Sequence, residues 1–352
     1  MKKSLIALAV LAASGASFAQ SNVTLYGLAD VWVGSVKSVV GVAKPADGNV
    51  FGDKGAVGST TTTKLESGGV NTSRWGVKGS EDLGGGLKAV FKLEQGFKLD
   101  TGAAGTATGA GQAFDRQSYV GLAGGFGEVA VGKVWSAYDD VSGAVNAVFD
   151  SALSPANHVF KSTGYQDRVS NAIRYTSPTI SGFTGAVSYS LDEKAPAGLQ
   201  STSVNLSYAA GPLSAQVGYQ KDDNKAQASD PAYTRLGASY DFGVATAKAS
   251  YGKVSNRNNA VGVSVSGADT TEYQIGADVP VGPALTLSAS YAKSDDNATA
   301  GDQSRKGYGI GATYTLSKRT FLYGGYNSNK ATNAGAGDDK LDILAVGMQH
   351  KF

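Results

Sequence analysis

The chain has no cysteine and only two histidines, His158 and His350, in 352 residues. Without cysteine there is no disulfide framework, no iron–sulfur cluster and no thiol nucleophile. Two histidines cannot build a His-rich site or a Cys/His zinc site, so no metal and no cofactor is expected. Beyond the first nineteen positions no run of eighteen apolar residues occurs, which excludes a transmembrane helix. Charge of one sign is lacking too. The formal net charge of +2 equals the contribution of Lys2 and Lys3 alone, and the rest of the chain is neutral, which argues against a nucleic-acid partner. What the chain does have is 48 Gly, 17 Tyr and 12 Phe. Glycine is at about twice its usual ~7% share, and each one inside a helix costs about 1 kcal/mol relative to Ala. The composition points to an all-β fold.

The first nineteen residues have the order of an export signal. Lys2 and Lys3 give a positive start, Leu5–Ala13 a short apolar stretch, and Ser14–Ala19 a run rich in small residues. Cleavage is expected between Ala19 and Gln20. The predicted organisation is a signal peptide over 1–19 and one β domain over 20–352, with no linker.

After the signal, short segments alternate with a period of two. In Ala284–Lys293, Leu285, Leu287, Ala289 and Tyr291 share one face, with Thr286, Ser288 and Ser290 on the other. Leu213–Lys221 and Ser201–Ala209 read the same way. A soluble sandwich also alternates, but it uses Lys and Glu freely on its wet face. Here that face is mostly Gly, Ser, Thr, Asn and Gln, which suits a crowded, water-filled interior. Tyrosines end the apolar faces (Tyr189, Tyr208, Tyr219, Tyr240, Tyr251, Tyr273, Tyr291, Tyr308, Tyr314), as an aromatic girdle at a membrane interface requires.

Connections alternate between short and long. Short ones are Glu81–Gly86, Gly124–Gly127, Ser177–Gly182, Ala210–Pro212, Asp241–Gly243, Pro280–Pro283 and Leu316–Lys318, rich in turn-forming residues. Long ones are Val36–Val70, Leu99–Ala113, Trp135–Gln166, Asp192–Gln200, Asp222–Pro231, Val254–Asp269, Ser294–Gln303 and Ser328–Asp338. The expected strands are Val23–Val33, Ser73–Ser80, Leu87–Phe97, Phe114–Leu122, Glu128–Val134, Arg168–Tyr175, Phe183–Leu191 and Ser201–Ala209. The series continues with Leu213–Lys221, Tyr233–Tyr240, Val244–Lys253, Thr271–Val279, Ala284–Lys293, Lys306–Thr315, Thr320–Asn327 and Lys340–Phe352. Sixteen antiparallel strands predict a closed transmembrane β-barrel wide enough for an aqueous channel. The Thr60–Thr63 run and Thr101–Gly111 are read as surface loops.

Several stretches together resemble the trimeric general porins of the Gram-negative outer membrane, in particular the sixteen-stranded β-proteobacterial type. They are Val23–Gly27, Ser73–Ala89, Tyr119–Leu122 with Gly125–Val129, Arg174–Pro178, Leu316–Thr320 and the terminal Gly347–Phe352. The resemblance covers essentially the whole chain. It implies a homotrimer in outer-membrane lipid and lipopolysaccharide, a third long loop (Trp135–Gln166) folded into the channel, and a C-terminal Phe352 read by the outer-membrane assembly machinery. It also implies an arginine cluster on the wall facing that loop, at Arg74, Arg116 and Arg168. The third loop departs from the enteric pattern in having no Pro-Glu-Phe-Gly motif.

Side-chain parity then sorts charges between lipid and lumen. Arg74, Lys78, Lys88, Lys92, Arg116, Arg168, Arg174, Arg235 and Lys248 fall on the polar face, with Glu94, Glu272, Asp278 and Asp30. A cation facing lipid at mid-bilayer costs about 2–4 kcal/mol, so inward is the cheap solution. Asp139, Asp140 and Asp150 of the third loop would face part of this wall. Nine basic against four wall acids, or seven with the loop acids, predicts a weakly anion-preferring diffusion pore for small hydrophilic solutes and ions. A substrate-specific channel or adhesin on the same barrel is the alternative; saturable block by a solute distinguishes it.

Enzymatic readings are weak. Gly127–Lys133 imitates a phosphate-binding loop but lies along a strand and lacks the following Ser or Thr. His158 has no base-orienting constellation and is expected to be solvated. The pairs Asp222-Asp223, Asp295-Asp296 and Asp338-Asp339 lack a calcium-ligand ladder and are read as solvated loop tips.

Overall fold

The computed structural model describes residues 22–41, 57–105, 112–191, 199–224, 230–256, 269–297, 303–333 and 337–352. Ala19 and Gln20, the expected cleavage point, lie outside them. The alternating segments form strands β1 (Asn22–Val40), β2 (Gly58–Ser67), β3 (Arg74–Gly84), β4 (Leu87–Gly96), β5 (Gln117–Gly124) and β6 (Gly127–Trp135). Then come β7 (Arg168–Thr176), β8 (Phe183–Ser190), β9 (Leu199–Ala210), β10 (Leu213–Asn224), β11 (Ala232–Asp241) and β12 (Thr246–Ser255). The last are β13 (Asp269–Val281), β14 (Leu285–Asn297), β15 (Gln303–Ser317), β16 (Thr320–Asn333) and β17 (Asp339–Lys351). Two single-turn helices, α1 (Asp139–Ser142) and α2 (Ala156–Val159), lie between β6 and β7.

From β3 onward each strand pairs antiparallel with the next, and β1 pairs with β17 from Leu28↔Lys351 to Val39↔Lys340. On its other edge β1 pairs with β3 along Asn22–Leu28 and with β2 along Val31–Val40. β2 and β3 are therefore two halves of one barrel strand, and the sheet closes as a sixteen-stranded barrel. The seam ends on Phe352, whose N–H donates to the Gly27 carbonyl while the Gly27 N–H donates to the Phe352 carbonyl, both at 3.0 Å.

Several expected loops prove to be wall. The Thr60–Thr63 run is strand, paired with Ser35–Ser38; β-branched threonine fits the pleat without leaving an apolar stripe to announce it. Likewise β14 runs to Asn297 and β16 to Asn333, past the expected ends at Lys293 and Asn327. Toward the long loops the outer face carries polar residues such as Lys293, Asp295 and Lys330, so the apolar half of the alternation disappears. β5 begins at Gln117, three residues later than expected, and leaves Arg116 just before the strand.

Exposure is inverted relative to a soluble protein. Leu236, Ile275 and Ile310 are more than half exposed on the outside, whereas Gln220, Gln274 and Glu272 are fully buried inside. The outward tyrosines form two belts. One, with Phe183, Tyr208, Tyr240 and Tyr314, lies beside the short turns; the other, with Tyr219, Tyr251, Tyr273, Tyr291 and Tyr308, lies farther up the strands. Asp82 and Asp241 hold the short turns, each accepting the N–H two residues on (2.9 and 2.8 Å).

The break at residues 68–73 turns into the barrel and settles on Asp30. That carboxylate, expected to line the lumen, is fully buried. It accepts the N–H groups of Gly69 (2.9 Å), Val70 (3.2 Å) and Asn71 (3.0 Å) and the Tyr323 hydroxyl (2.6 Å). Asp30→Ala should leave these donors without a partner, at about 1–3 kcal/mol for each buried one. The expected outcome is a lower thermal unfolding temperature in detergent, followed by far-UV circular dichroism. An unchanged melt would contradict the cradle.

Candidate functional site

The third long connection, residues 136–167, runs inside the barrel along the inner wall of β9 to β16 and returns. On the way out, Ala137 N–H donates to Ser203 Oγ (2.8 Å), Gln274 Nε2 donates to the Val145 carbonyl (3.0 Å), and Val148 N–H donates to Ser288 Oγ (2.7 Å). At the bend, Asn327 Nδ2 donates to the Leu153 carbonyl (2.9 Å) and Ala152 N–H to the Gly69 carbonyl (2.7 Å). On the way back, Arg305 Nε donates to Val159 O (3.2 Å), Glu272 accepts Ser162 N–H (3.0 Å) and Lys161 N–H, and Asp222 accepts Gln166 N–H (2.9 Å). Apolar contacts reinforce the path: Tyr138 and Val141 pack on Tyr233 and Val254, and Ala156, Val159 and Phe160 on Ala292.

This path corrects part of the charge assignment. Arg235 is buried; it donates to the Ser142 carbonyl and to Ser162 Oγ (2.5 Å) and lies 3.7 Å from the buried Glu272. These two clamp the limbs of the loop, and Arg235 reaches only the floor of a recess on the loop side. Asp222 and Asp296, expected at solvated tips, are buried, Asp296 under Arg305. His158, expected to be solvated, is half-buried with Nε2 at 2.7 Å from the Ala152 carbonyl, and the loss of water around it lowers its pKa.

The described residues of the third loop leave the wall of β3 to β7 uncovered, and there the expected cations assemble. Glu94 is their centre: Arg116 Nε lies at 2.8 Å, Lys92 Nζ at 3.4 Å and Arg74 Nε at 3.7 Å, and Tyr26 donates its hydroxyl at 2.8 Å. Lys78 Nζ stands 5.3 Å above the Tyr26 ring. Arg168 lies 4.1 Å from the Trp135 ring centre, with Arg116 at 5.5 Å, within cation–π range. Arg116 is only 3% exposed, so it adds positive field from behind, while Arg74, Lys78, Lys92 and Arg168 meet the bore.

The remaining expected residues lie apart from this cluster. Lys88 pairs across from Asp82 next to the short turn, at the rim. Arg174 holds Asp140 at 2.5 Å and donates to the Trp135 and Ser136 carbonyls, anchoring the start of the loop. Lys248 and Asp278 pair with each other at 2.6 Å. Asp139 and Asp150 line a polar recess of about 510 Å³ on the loop side, together with Asp167, Trp135 and Tyr165.

Sequence reasoning missed Trp135 and Gln117. The Gln117 amide oxygen accepts from Lys92 Nζ (2.7 Å) and Trp135 Nε1 (2.8 Å), so one amide ties the lysine to the ring on which Arg168 stacks. A rare tryptophan paired across from an arginine, Trp135↔Arg168, was the available signal.

A closed barrel with an apolar exterior, a charged interior and an internal loop across its bore is a transmembrane channel. The comparisons place it more narrowly. The chain belongs to the Gram-negative porin family, whose description matches residues 5–334, and it is an outer-membrane porin for the diffusion of small solutes. It is 35% identical to "Outer membrane porin protein 32" of Delftia acidovorans, over 99% of this chain and 95% of that one. Against "Major outer membrane protein P.IB" of Neisseria lactamica it is 32% identical over the full length of both. Among solved structures, "Anion-selective porin from Comamonas acidovorans" superposes with a TM-score of 0.73 at 29% identity, covering 95% of this chain and 100% of that one.

Asp139 should give the bore a pH response. Burial, with Asp167 and Asp140 nearby, raises its carboxyl to about 7, against the opposing pull of the Tyr165 hydroxyl at 2.5 Å and of Arg168. A raised carboxyl is neutral below its pKa. Lowering the pH from 8 to 6 should therefore remove a negative charge from the loop side and move the reversal potential in a potassium chloride gradient toward anions. Asp139→Asn should abolish most of that shift; an equal shift in the variant would assign it elsewhere.

Proposed function

We propose that the bore is a weakly anion-preferring, otherwise unselective diffusion path. Arg74, Lys78, Lys92 and Arg168 would touch passing ions, with Arg116 adding field behind them. The observation that carries this reading is the gathering of Arg74, Lys92 and Arg116 on the single carboxylate Glu94. One acid cannot neutralise three cations, so that wall keeps a positive excess. Asp139, Asp150 and Asp167 oppose it from the loop side, which keeps the preference small. The anion selectivity named for the Comamonas porin supports the same direction.

A unit charge about 4 Å from an ion in water is worth about 1 kcal/mol. Replacing either Arg74 or Lys92 by serine should thus lower the anion-to-cation permeability ratio roughly fivefold, and raised salt should shrink the difference by screening. Reversal potentials across a planar bilayer measure the ratio. Cation preference in the unaltered protein would overturn the reading.

The protein acts as a passive channel, not an enzyme, on this reading: the ring of its loop histidine is already engaged by Ala152 O. It is a homotrimer in outer-membrane lipid with lipopolysaccharide at its rim, exported with its signal peptide removed between Ala19 and Gln20. An apolar recess of about 640 Å³ on the outer wall, lined by Val31, Leu65, Leu322, Leu344 and Val346, suits contact between protomers. Phe352 serves as the assembly signal, and its place at the seam means that its loss also removes two backbone hydrogen bonds to Gly27. Deleting Phe352 should lower the amount of folded protein in the outer membrane, quantified by heat-modifiable gel migration; unchanged levels would count against both roles.

A further inference from the structure

The inner wall carries glycine at several points where the outgoing limb of the third loop comes close. A Cβ on Gly218 would stand 2.3 Å from Val141 Cγ2, one on Gly237 2.8 Å from Val145 Cγ2, and one on Gly276 2.4 Å from Ala147 Cβ and 2.8 Å from the wall's own Ala289 carbonyl oxygen. Farther round, a Cβ on Gly311 would lie 3.0 Å from Val148 Cγ1, and one on Gly309 2.2 Å from the Leu153 carbonyl oxygen. The order along the loop matches the order of strands β10, β11, β13 and β15. Beside the glycines stand the side chains that hold the loop, Gln274 on Val145 O and Ser288 on Val148 N–H. Each step of the loop thus has a place to approach and a group to fasten it.

The bend at the end of this path shows that the wall does the holding. Val148, Phe149 and Asp150 have φ of 57°, 64° and 49°, three successive left-handed residues that all bear side chains. Such a turn is disfavoured for L-residues and persists only where its surroundings over-determine it.

We propose that the glycine track sets how far the loop stands off the wall, and thereby the width left open between the loop and the basic cluster. Gly218, Gly237 and Gly276 are then positioning residues for solute size that no solute touches. The inference rests on the bore being the solute path. Backbone hydrogen bonds tie each wall strand to both neighbours, whereas the loop is fastened mainly by scattered side-chain bonds. An added methyl therefore moves the loop, and the only free direction is into the bore.

Single-channel conductance and sugar sieving in liposomes test this on the full-length protein. Gly218→Ala should conduct less than wild type and exclude the largest sugar that wild type admits. Adding Val141→Ala, which removes the opposing Cγ2, should restore both; a general folding defect would not be rescued this way. Gly237→Ala with Val145→Ala forms a second such pair for the case in which Gly218→Ala does not fold. Gly252→Ala is the control, because its Cβ would be in ordinary contact, 3.4 Å from Glu272 Oε2; its conductance should equal wild type. Folded Gly218→Ala with unchanged or raised conductance would overturn the proposal, as would failure of Val141→Ala to restore it. A wild-type protein that does not conduct would remove the channel reading itself, a distinct failure.

Discussion

The structure depends on one constraint: in hydrocarbon no water is present to bond a backbone N–H or C=O, so each must find its partner within the chain. A sheet satisfies this only by closing. Here closure falls to β1, which pairs with β17 along one edge and with β2 and β3 along the other. The last residue completes it through two hydrogen bonds with Gly27. Once the sheet is closed, period-two alternation leaves every strand with a lipid face and a lumen face. Aliphatic residues and tyrosines go outward, and charge has a cheap place only within. The pore lining follows from closure.

Closure at this strand number leaves a wide bore, and the third loop divides it. The loop needs a wall with room for its backbone and partners for its polar groups, and β9 to β16 offer glycine, serine, asparagine and glutamine. The third loop does not cover the wall of β3 to β7, and like charges accumulate there around Glu94. The two halves differ in character: one is packed and largely neutralised, the other open and cationic. Trp135 sits where they meet, its ring under Arg168 and its N–H on Gln117.

Much of this was legible in the sequence, for identifiable reasons. Alternation and turn chemistry revealed the strands, their even number and the parity that brings Arg74, Lys78, Lys92 and Arg168 inward. Strand ends were hidden where polar residues occupy both faces, as at Thr60–Thr63. Arg305 escaped notice because β15 begins at Gln303 while its apolar pattern begins later. Parity also cannot say which inward charges a loop will cover. Arg235, Glu272 and Asp30 look like lumen residues on their strands and Asp222 like a solvated loop tip, and long-range packing alone turned them into clamps and cradles. The path of residues 136–167 has no local signature, since it is fixed by contacts with strands up to about 170 residues later, such as Asn327 on Leu153.

Liposome swelling tests the central claim most directly. Vesicles loaded with the purified protein and placed in iso-osmotic sugars of increasing size should swell at rates that fall smoothly with molecular size, with no saturation as concentration rises. Vesicles that stay tight to the smallest sugar would contradict an open bore, and a rate that saturates for one sugar alone would replace unselective diffusion with a binding site.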